Sequence, residues 1–456
     1  MTRLSQLFSF FVQFMKKSKL TLLFLLLIFG TSFGFAQNYP YCISGRFAEN
    51  ELFTSFATES DTNVIYGINL GYLSGVDTLK MDIFRVKSQL DNLVKRPLVV
   101  LIHGGDFSTG SKMDMKTYAE QFARKGYVAA TIDYRLGWDN TGAAICNGNM
   151  ATYLFAMYRA VQDVNASLRF LTLNASNYGI DTSYIFLVGQ DAGAITALHV
   201  GFLNQIEADI LFPSAFADMG SLFSATNQIN TSYSIKGIFN WCGAILDTSI
   251  IDANEQIPIL SLHGLKDSIY GVDTGTYRFC YNTLNEYPLF YGPKQIQKRM
   301  NHLGICAEAN YDANGEHCLF PTLEETNYVP FKMTCFFKNL LCGNCVTQEK
   351  NSYAIQTCMD AAPLSNTFAM SGTTITLSPN PTSGSMQVRG YLPSALSISL
   401  TLVTMNGMKY KIHERKDLPQ GFMNLNIQLP SFLSAGMYIL ECQLGQEILR
   451  QKVELN

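Results

Sequence analysis

The segment Tyr184–Gly193 reads Tyr-Ile-Phe-Leu-Val-Gly-Gln-Asp-Ala-Gly, an apolar run followed by two glycines that flank Gln-Asp-Ala. The run has the length and composition of a buried parallel strand. The next stretch, Ala192–Phe202, is rich in small and apolar residues and predicts a buried helix. Because glycine adopts backbone conformations that other residues avoid, the two glycines predict a sharp turn between strand and helix. Asp191 stands at this corner, where on local grounds alone it could simply cap the helix.

Three other segments place polar residues and glycines directly after apolar runs or in a polar loop. His103-Gly104-Gly105-Asp106 follows the strand-like run Pro97–Ile102. Asp267 lies in a turn that follows the strand-like run Ile257–Leu262, and His317 lies further along in a polar loop. Each feature is common by itself in a Gly-rich turn or loop, but their order along the chain suggests a common site.

Together these segments resemble the esterase/lipase group of α/β-hydrolases with a His-Gly-Gly motif, in which the nucleophile pattern is Gly-x-Ser-x-Gly. The resemblance covers about residues 60–345, and the secreted esterases of acetylated or feruloylated xylan are the most similar subgroup. It implies a mostly parallel central sheet flanked by helices. It also implies that Asp191 occupies the nucleophile position, Asp267 is the acid of the triad and His317 is its histidine, in the usual chain order.

The same resemblance assigns an oxyanion hole to the backbone N–H groups of Gly104, Gly105 and Ala192. Two positions depart from the family pattern. Asp106 stands where the group often has a third glycine, and its charge lies next to the predicted hole. Asp191 stands where the group has serine.

The reaction class implied by the resemblance is the hydrolysis of carboxylic esters, with acylated polysaccharide as a candidate substrate. Asp191 opposes this chemistry. A carboxylate that adds to an ester carbonyl is a better leaving group than the alkoxide, so the adduct collapses backward. Two alternatives stay open, namely an Asp-nucleophile hydrolase of the epoxide hydrolase or dehalogenase type and an inactive binding protein on an esterase scaffold. No cofactor or metal is expected in any of these cases.

The first 36 residues are predicted to be a signal peptide. A basic region at Lys16, Lys17 and Lys19 precedes the apolar run Leu20–Phe33, and small residues before Gln37 form a cleavage site. The apolar run is short for a membrane span. We therefore expect no stable membrane span after cleavage, and a secreted or cell-surface location reached through the periplasm.

Composition is consistent with an exported globular protein. The chain has 456 residues, a net charge of −3 and 15% charged residues, with no basic patch that would indicate a nucleic-acid partner. Eleven cysteines are typical of an oxidising compartment, and their odd number predicts at least one thiol that is unpaired or intermolecular. A late cluster of cysteines predicts disulfides, with zinc binding as the alternative: Cys335, Cys342, Cys345 and Cys358. Cys318, which follows His317, is a further but poorly placed candidate nucleophile.

The chain changes character near residue 350. Residues 37–346 are assigned to the hydrolase domain, 347–372 to a polar linker and 373–456 to a small all-β domain. Ile375–Gly384, which contains Pro-Asn-Pro, and Ser434–Leu440 resemble parts of the C-terminal sorting domain of type IX secretion, and Asn406-Gly407 predicts a hairpin turn. The type IX secretion machinery is therefore an expected partner, and a carbohydrate-binding β-module is the alternative.

Overall fold

The computed structural model describes residues 39–48, 50–73, 75–140, 146–280, 287–319, 325–350, 358, 374–378, 382, 384–392, 395–404, 408–418, 421–444 and 447–455. Nearly all of them belong to the larger of two compact units, Tyr41–Asn456. The predicted signal peptide (1–36), the Pro-Asn-Pro stretch at 379–381 and the Asn406-Gly407 turn lie outside the described residues, and these predictions stay untested.

A nine-stranded sheet forms the centre of the first part of the chain, in the order β1-β2-β4-β3-β5-β6-β7-β10-β11. The pairs β1–β2 and β2–β4 are antiparallel, and the other neighbouring pairs are parallel. The strands in chain order, including the separately paired β8 and β9, are β1 (Thr58–Leu70), β2 (Val76–Val86), β3 (Arg96–Ile102), β4 (Val128–Ile132), β5 (Ile180–Gln190), β6 (Ile235–Trp241), β7 (Ile259–Gly264), β8 (Thr274–Thr276), β9 (Leu289–Tyr291), β10 (Ala307–Asp312) and β11 (Gln348–Lys350).

Helices accompany this sheet along the chain. They are α1 (Lys116–Arg124), α2 (Met150–Leu173), α3 (Ala175–Tyr178), α4 (Ala192–Phe202), α5 (Gln205–Leu211), α6 (Ala215–Met219), α7 (Pro293–His302) and α8 (Glu325–Leu341). Short 3-10 turns occur at Ser55–Ala57, Ser88–Leu90, Lys112–Met115, Thr248–Ile250 and Tyr277–Phe279. No helix in the described part of the chain has both the length and the apolar character needed to cross a membrane.

Both faces of the central strands are covered, which explains their continuous apolar sequences. Every residue of β3 is buried. Alternate side chains of a strand point to opposite faces, so Leu98 and Val100 pack in one hydrophobic core while Val99 and Leu101 pack in a second one. Helix α2 begins after Asn149, whose side chain accepts hydrogen bonds from the N–H groups of the first turn.

The last part of the chain is all-β. Its strands are β12 (Thr374–Ser378), β13 (Ser385–Leu392), β14 (Leu396–Thr404), β15 (Lys409–Leu418), β16 (Gly421–Gln428), β17 (Gly436–Leu444) and β18 (Glu447–Leu455). They form two antiparallel sheets, β12-β13-β16 and β15-β14-β17-β18, which share one hydrophobic core. The predicted fold class, an α/β-hydrolase fold followed by a small all-β region, is confirmed. Strand β11 lies inside the segment predicted as a linker and extends the nine-stranded sheet.

The topology brings the predicted site residues to one edge of the sheet. Strands β3, β5, β7 and β10 run parallel, so their carboxyl ends lie at the same edge. Gly105 comes shortly after β3, Asp191 directly after β5, Asp267 after β7 and His317 after β10. Ligands of open α/β sheets bind at this edge.

Candidate active site

Asp191 occupies the tight corner between β5 and α4. Its backbone lies in the left-handed half of the Ramachandran map, with φ 53° and ψ −120°. Gly193 is required here, because a Cβ at this position would collide with the backbone carbonyls of Ile102 and His103. A non-glycine residue held in such a conformation is typical of the nucleophile elbow of α/β-hydrolases and of functional sites more generally.

The two carboxylate oxygens of Asp191 have different partners. Oδ1 lies 3.0 Å from His317 Nε2. Oδ2 accepts hydrogen bonds from the backbone N–H groups of Gly105, at 2.8 Å, and Asp106, at 3.1 Å. In a serine esterase, a pair of backbone donors of this kind binds the oxyanion of the substrate. In this chain both backbone donors are taken up by the side chain of Asp191 itself.

His317 is held by Asp267 on its other side. The distance between His317 Nδ1 and Asp267 Oδ2 is 2.8 Å. Asp267 is fixed in turn, because its Oδ1 accepts hydrogen bonds from the N–H groups of Ile269 and Tyr270 at 2.8 and 3.0 Å. His263 Nε2 lies 3.1 Å from Asp267 Oδ2, so a second histidine supports the acid. The spatial order Asp191–His317–Asp267 is that of a hydrolase triad.

The flanking carboxylates determine the charge of His317. Burial alone would lower the pKa of His317, but the hydrogen bonds and charges of Asp191 and Asp267 outweigh it and raise the pKa to about 10. Burial would raise the pKa of Asp191, yet the imidazolium and the two backbone donors lower it. Burial would likewise raise the pKa of Asp267, but its hydrogen bonds with His263 and His317 together outweigh burial and lower it. At neutral pH the site is thus an imidazolium between two carboxylates.

Asp106 adds a second acid beside the oxyanion donors. Its Oδ2 accepts a hydrogen bond of 2.9 Å from the hydroxyl of Tyr277 and lies 3.9 Å from Nη2 of Arg278. Its Oδ1 is buried and has no hydrogen-bond partner. Burial, followed by the charge of Asp191, raises the pKa of Asp106 to about 6. The structure therefore places this carboxylate next to the hole, as its sequence position indicates.

A disulfide fixes the loop that carries His317. Cys318 is bonded to Cys242, which follows β6. The preceding residue, Trp241, accepts the backbone N–H of Asp191 at 2.9 Å, so this disulfide joins the His317 loop to the segment that holds the elbow. Cys318 lies 3.6 Å from His317 Nε2, but its sulfur is not a free thiol, so the alternative of Cys318 as a substitute nucleophile is wrong. The same bond removes Cys242 and Cys318 as metal ligands beside His317.

The remaining cysteines are also largely paired. The predicted late cluster is divided among three disulfides, so the zinc alternative is wrong. The four other disulfides are Cys42–Cys342, Cys146–Cys280, Cys306–Cys345 and Cys335–Cys358. Cys442 is free and buried, which confirms that the odd count leaves one unpaired thiol. Five disulfides are typical of proteins that mature in an oxidising compartment.

Two residues predicted for the oxyanion hole make no bond to Asp191 among the described contacts. Gly104 packs against it, since a Cβ added there would lie 3.0 Å from Asp191 Cβ, and Ala192 begins α4. The second donor to Asp191 Oδ2 is the N–H of Asp106, a residue whose sequence position indicates only a nearby charge. His263 is a site residue that was not predicted, although its position at the end of β7 is a signal that could have identified it.

Comparisons with known proteins agree with this architecture. Residues 81–267 match the family model described as BD-FAE. Gut esterase 1 of Caenorhabditis elegans is 28% identical over 217 residues, which cover 44% of this chain and 34% of the relative. Juvenile hormone esterase of Heliothis virescens is 30% identical over 179 residues, which cover 38% of this chain and 30% of the relative.

A solved structure described as a truncated form of a carbohydrate esterase from gut microbiota aligns with 64% of this chain and 98% of its own, at 16% identity and a TM-score of 0.43. The chain spans about a third of the length of the curated relatives named above. The segment that matches the family model includes Asp191 and Asp267 and ends before His317. This segment is similar to esterase-like α/β-hydrolases.

Proposed function

We propose that this protein is an exported, esterase-like hydrolase in which Asp191 acts as a carboxylate nucleophile. The observation that supports this most directly is that the two carboxylate oxygens of Asp191 have different hydrogen-bond partners. Oδ2 is held by the N–H groups of Gly105 and Asp106, and Oδ1 is directed toward His317. A carboxylate fixed by one oxygen can attack with the other, and its attachment to the elbow supplies the rigid orientation that the reaction needs.

Attack on a carboxylic ester is disfavoured by the same geometry. The carbonyl oxygen of an ester must enter the oxyanion hole for its negative charge to be stabilised. Here the hole is filled by Asp191 Oδ2, which is itself negatively charged. The scaffold is therefore suited to the hydrolysis of carboxylic esters, including those of acylated polysaccharides, but we expect the native Asp191 side chain to disfavour this reaction.

Attack on a saturated carbon uses the site as it stands. Asp191 Oδ1 forms a bond to the carbon, and the leaving group departs with the bonding electron pair and takes a proton from solvent. The product is an alkyl ester of Asp191. Esterification removes one of the two charges that raise the pKa of His317, which can then release its proton.

The second half of the reaction also fits the structure. Neutral His317 accepts a proton from a water molecule, whose oxygen adds to the Asp191 carboxyl carbon. The resulting negative charge develops on Oδ2, which already accepts the N–H groups of Gly105 and Asp106. Collapse breaks the bond between the carboxyl carbon and the alkoxy oxygen, and the alcohol leaves with the proton from His317. The carboxylic acid of Asp191 that remains then gives its proton to neutral His317, which restores both the carboxylate and the imidazolium.

An inactive binding protein is the second candidate function. It is favoured by one observation, namely that the resting site has no free base. His317 is bonded to carboxylates on both sides, and these raise its pKa to about 10. If no substrate reaches and alkylates Asp191, the imidazolium stays protonated and the triad is a structural ion network.

A trapping experiment distinguishes the two candidates. The full chain is incubated with styrene oxide and 1-bromobutane as probes of alkyl transfer, and the intact mass is recorded. For the hydrolase we expect His317→Gln to accumulate a covalent adduct on Asp191, because attack survives while hydrolysis of the alkyl ester is lost. The wild type is expected to clear the adduct and release a diol or an alcohol, and Asp191→Ala is the matched control without a nucleophile. Absence of both product and adduct in all three proteins contradicts the hydrolase and favours the binding protein.

The proposed destination is the cell exterior, through type IX secretion. The five disulfides support an oxidising compartment. The likeness of Ile375–Gly384 and Ser434–Leu440 to a sorting domain supports the route. Deletion of residues 373–456 is expected to leave the protein in the periplasm of a host with this machinery, as measured by fractionation and immunoblotting. Unchanged export of the truncated chain contradicts the proposed route.

A further inference from the structure

His263 is a buried histidine beside the triad that takes no step in the proposed reaction. It lies near the end of β7, and its side chain has no exposed surface. Its Nε2 lies 2.8 Å from the carbonyl oxygen of Tyr270 and 3.1 Å from Asp267 Oδ2. Its Nδ1 is buried and has no hydrogen-bond partner among the described residues. His263 therefore contacts the triad through one ring nitrogen only.

These contacts determine which nitrogen of His263 carries a proton. Both neighbouring groups are acceptors and both lie at Nε2, so Nε2 carries the proton and shares it between them. A second proton, on Nδ1, would be a buried donor without an acceptor, which is costly. His263 is therefore a neutral hydrogen-bond donor to Asp267, unlike His317, which is charged at neutral pH.

With this donor, both oxygens of the Asp267 carboxylate have two partners each. Oδ1 accepts the backbone N–H groups of Ile269 and Tyr270, at 2.8 and 3.0 Å. Oδ2 lies 2.8 Å from His317 Nδ1 and 3.1 Å from His263 Nε2. The side chain has no exposed surface, so these four groups take the place of water. Donors that stabilise an anion lower its affinity for a proton.

We propose that His263 is a positioning residue of the triad, which keeps Asp267 an anion and lowers the proton affinity of the His317–Asp267 pair. Without this donor, one oxygen of the buried carboxylate would lose a partner, and a poorly solvated anion holds a neighbouring imidazolium more tightly. With it, the Nδ1 proton of His317 stays between the two side chains. The proton that can leave His317 is the one on Nε2, which faces Asp191.

The consequence for turnover rests on the proposed function. After alkylation of Asp191, His317 must release its Nε2 proton before it can activate water. A donor that lowers the proton affinity of the His317–Asp267 pair brings this release closer to neutral pH. Without His263, hydrolysis of the alkyl ester should therefore need a higher pH. Attack by Asp191 does not use His317 as a base, so its rate should stay the same.

An NMR titration of the full chain, labelled with ¹⁵N-histidine, tests the role of His263 without any substrate. The background is Asp191→Ala, because alkylation likewise removes the charge of this carboxylate, one of the two that raise the pKa of His317. The signals of His317 are assigned by their absence in His317→Gln. We expect His263→Leu to raise the pKa of His317 by about one to two pH units, since a hydrogen bond to a charged group is lost. His263→Gln, whose amide can still donate to Asp267, should leave that pKa almost unchanged.

The comparison isolates the donor because the other titratable groups that face His317 are the same in every variant of this background. Besides Asp267 they are Asp106 and Tyr270, while Cys318 is held in a disulfide. If His263→Leu does not fold, His263→Asn replaces it, because the shorter amide does not reach Asp267. The assignment is overturned if a folded variant without the donor leaves the pKa of His317 unchanged or lowers it. It is also overturned if His263→Gln raises this pKa as much as His263→Leu does.

A second measurement follows the alkyl adduct in chains that retain Asp191. After reaction with 1-bromobutane, the decay of the adduct is recorded by intact mass between pH 6 and pH 9.5. In His263→Leu the decay should move to higher pH, while adduct formation keeps its rate. An unmoved pH profile overturns the role of His263 in turnover. A raised His317 pKa in a chain that forms no adduct supports the role of His263 in the charge of the triad and contradicts only the proposed function.

Discussion

Replacing Asp191 by serine should permit the ester hydrolysis that, by our proposal, the native carboxylate disfavours. Serine has one side-chain oxygen, which takes the place of the Asp191 carboxyl carbon, one bond nearer the backbone than the Oδ1 that lies 3.0 Å from His317 Nε2. The second oxygen, Oδ2, disappears, so the N–H groups of Gly105 and Asp106 become available to a substrate carbonyl. The substitution also removes one of the two carboxylates that raise the pKa of His317, which lets the imidazole act as a base near neutral pH.

The size of the effect follows from the number of donors that are released. Removal of a single oxyanion donor in a hydrolase costs about 10²-fold to 10³-fold in kcat. The native site withholds two donors from the substrate, because both bind Asp191 Oδ2. Taking the lower value for each, we expect Asp191→Ser to exceed the wild type by about 10⁴-fold in kcat for an ester substrate. A serine nucleophile activated by His317 adds to this difference.

The assay is hydrolysis of p-nitrophenyl acetate by the full chain at pH 7.5, with initial rates followed by absorbance. Asp191→Ala is the matched control, because it empties the hole without adding a nucleophile, and the double variant Asp191→Ser/His317→Ala removes the base. Only Asp191→Ser should be fast. The reasoning is refuted if the wild type hydrolyses the ester at a comparable rate and Asp191→Ala abolishes that activity. It is also refuted if a correctly folded Asp191→Ser protein stays inactive, since the freed donors would then not form a working hole.

Three further predictions concern the charges and the disulfide around the triad. The pKa of His317 is raised to about 10, so the ion pairs of its imidazolium with Asp191 and Asp267 stabilise the fold fully below pH 6.5, and this stabilisation is lost as pH rises through 10. Over that range the wild type should lose up to about 5 kcal/mol of unfolding free energy, and Asp191→Ala should lose distinctly less, as measured by urea unfolding. Removing the Cys242–Cys318 disulfide, which closes a separation of 76 residues, should cost about 4 kcal/mol in the same assay, and an unchanged midpoint would contradict the role assigned to it. Asp106→Asn, introduced into the Asp191→Ser background, should raise kcat about fivefold at pH 7.5, because the charge beside the hole repels a developing oxyanion; a decrease would show that the carboxylate assists the donors.

The strands and helices could be predicted because a short stretch of sequence is enough to indicate each of them. The run before Asp191 is uniformly apolar, and both of its faces are buried in β5, so no alternation was needed to identify it. The position of Asp267 followed from the same logic, since it comes after a strand whose carboxyl end meets the others at one edge. His317 was assigned from its polar loop and from the chain order of the family resemblance. By contrast, the pairing of Cys242 with Cys318 depends on two loops that are 76 residues apart in sequence, and sequence alone does not fix such a distance.

The contacts of the individual oxygen atoms lay beyond sequence reasoning. Whether Asp191 Oδ2 points into the hole depends on the path of the loop after β3, where both Asp106 and Phe107 have positive φ. Sequence patterns do not predict left-handed conformations in residues other than glycine with any regularity. The loop therefore directs the N–H of Asp106 inward, where it joins the N–H of Gly105 on Asp191 Oδ2, while the predicted oxyanion set of Gly104, Gly105 and Ala192 stays a prediction.

The native site resembles a reaction intermediate more than a resting serine enzyme. In the intermediate of ester hydrolysis, a negative oxygen sits in the hole, a second oxygen lies beside the histidine and the histidine carries a proton. Asp191 reproduces all three features, with Oδ2 on two backbone donors, Oδ1 3.0 Å from Nε2 and an imidazolium held by Asp267. An active site stabilises its transition state more than its substrate. In this chain the same donors and the imidazolium are directed at the carboxylate of Asp191 itself, so we expect this side chain to suppress esterolysis while the hydrogen bonds of His317 stay intact.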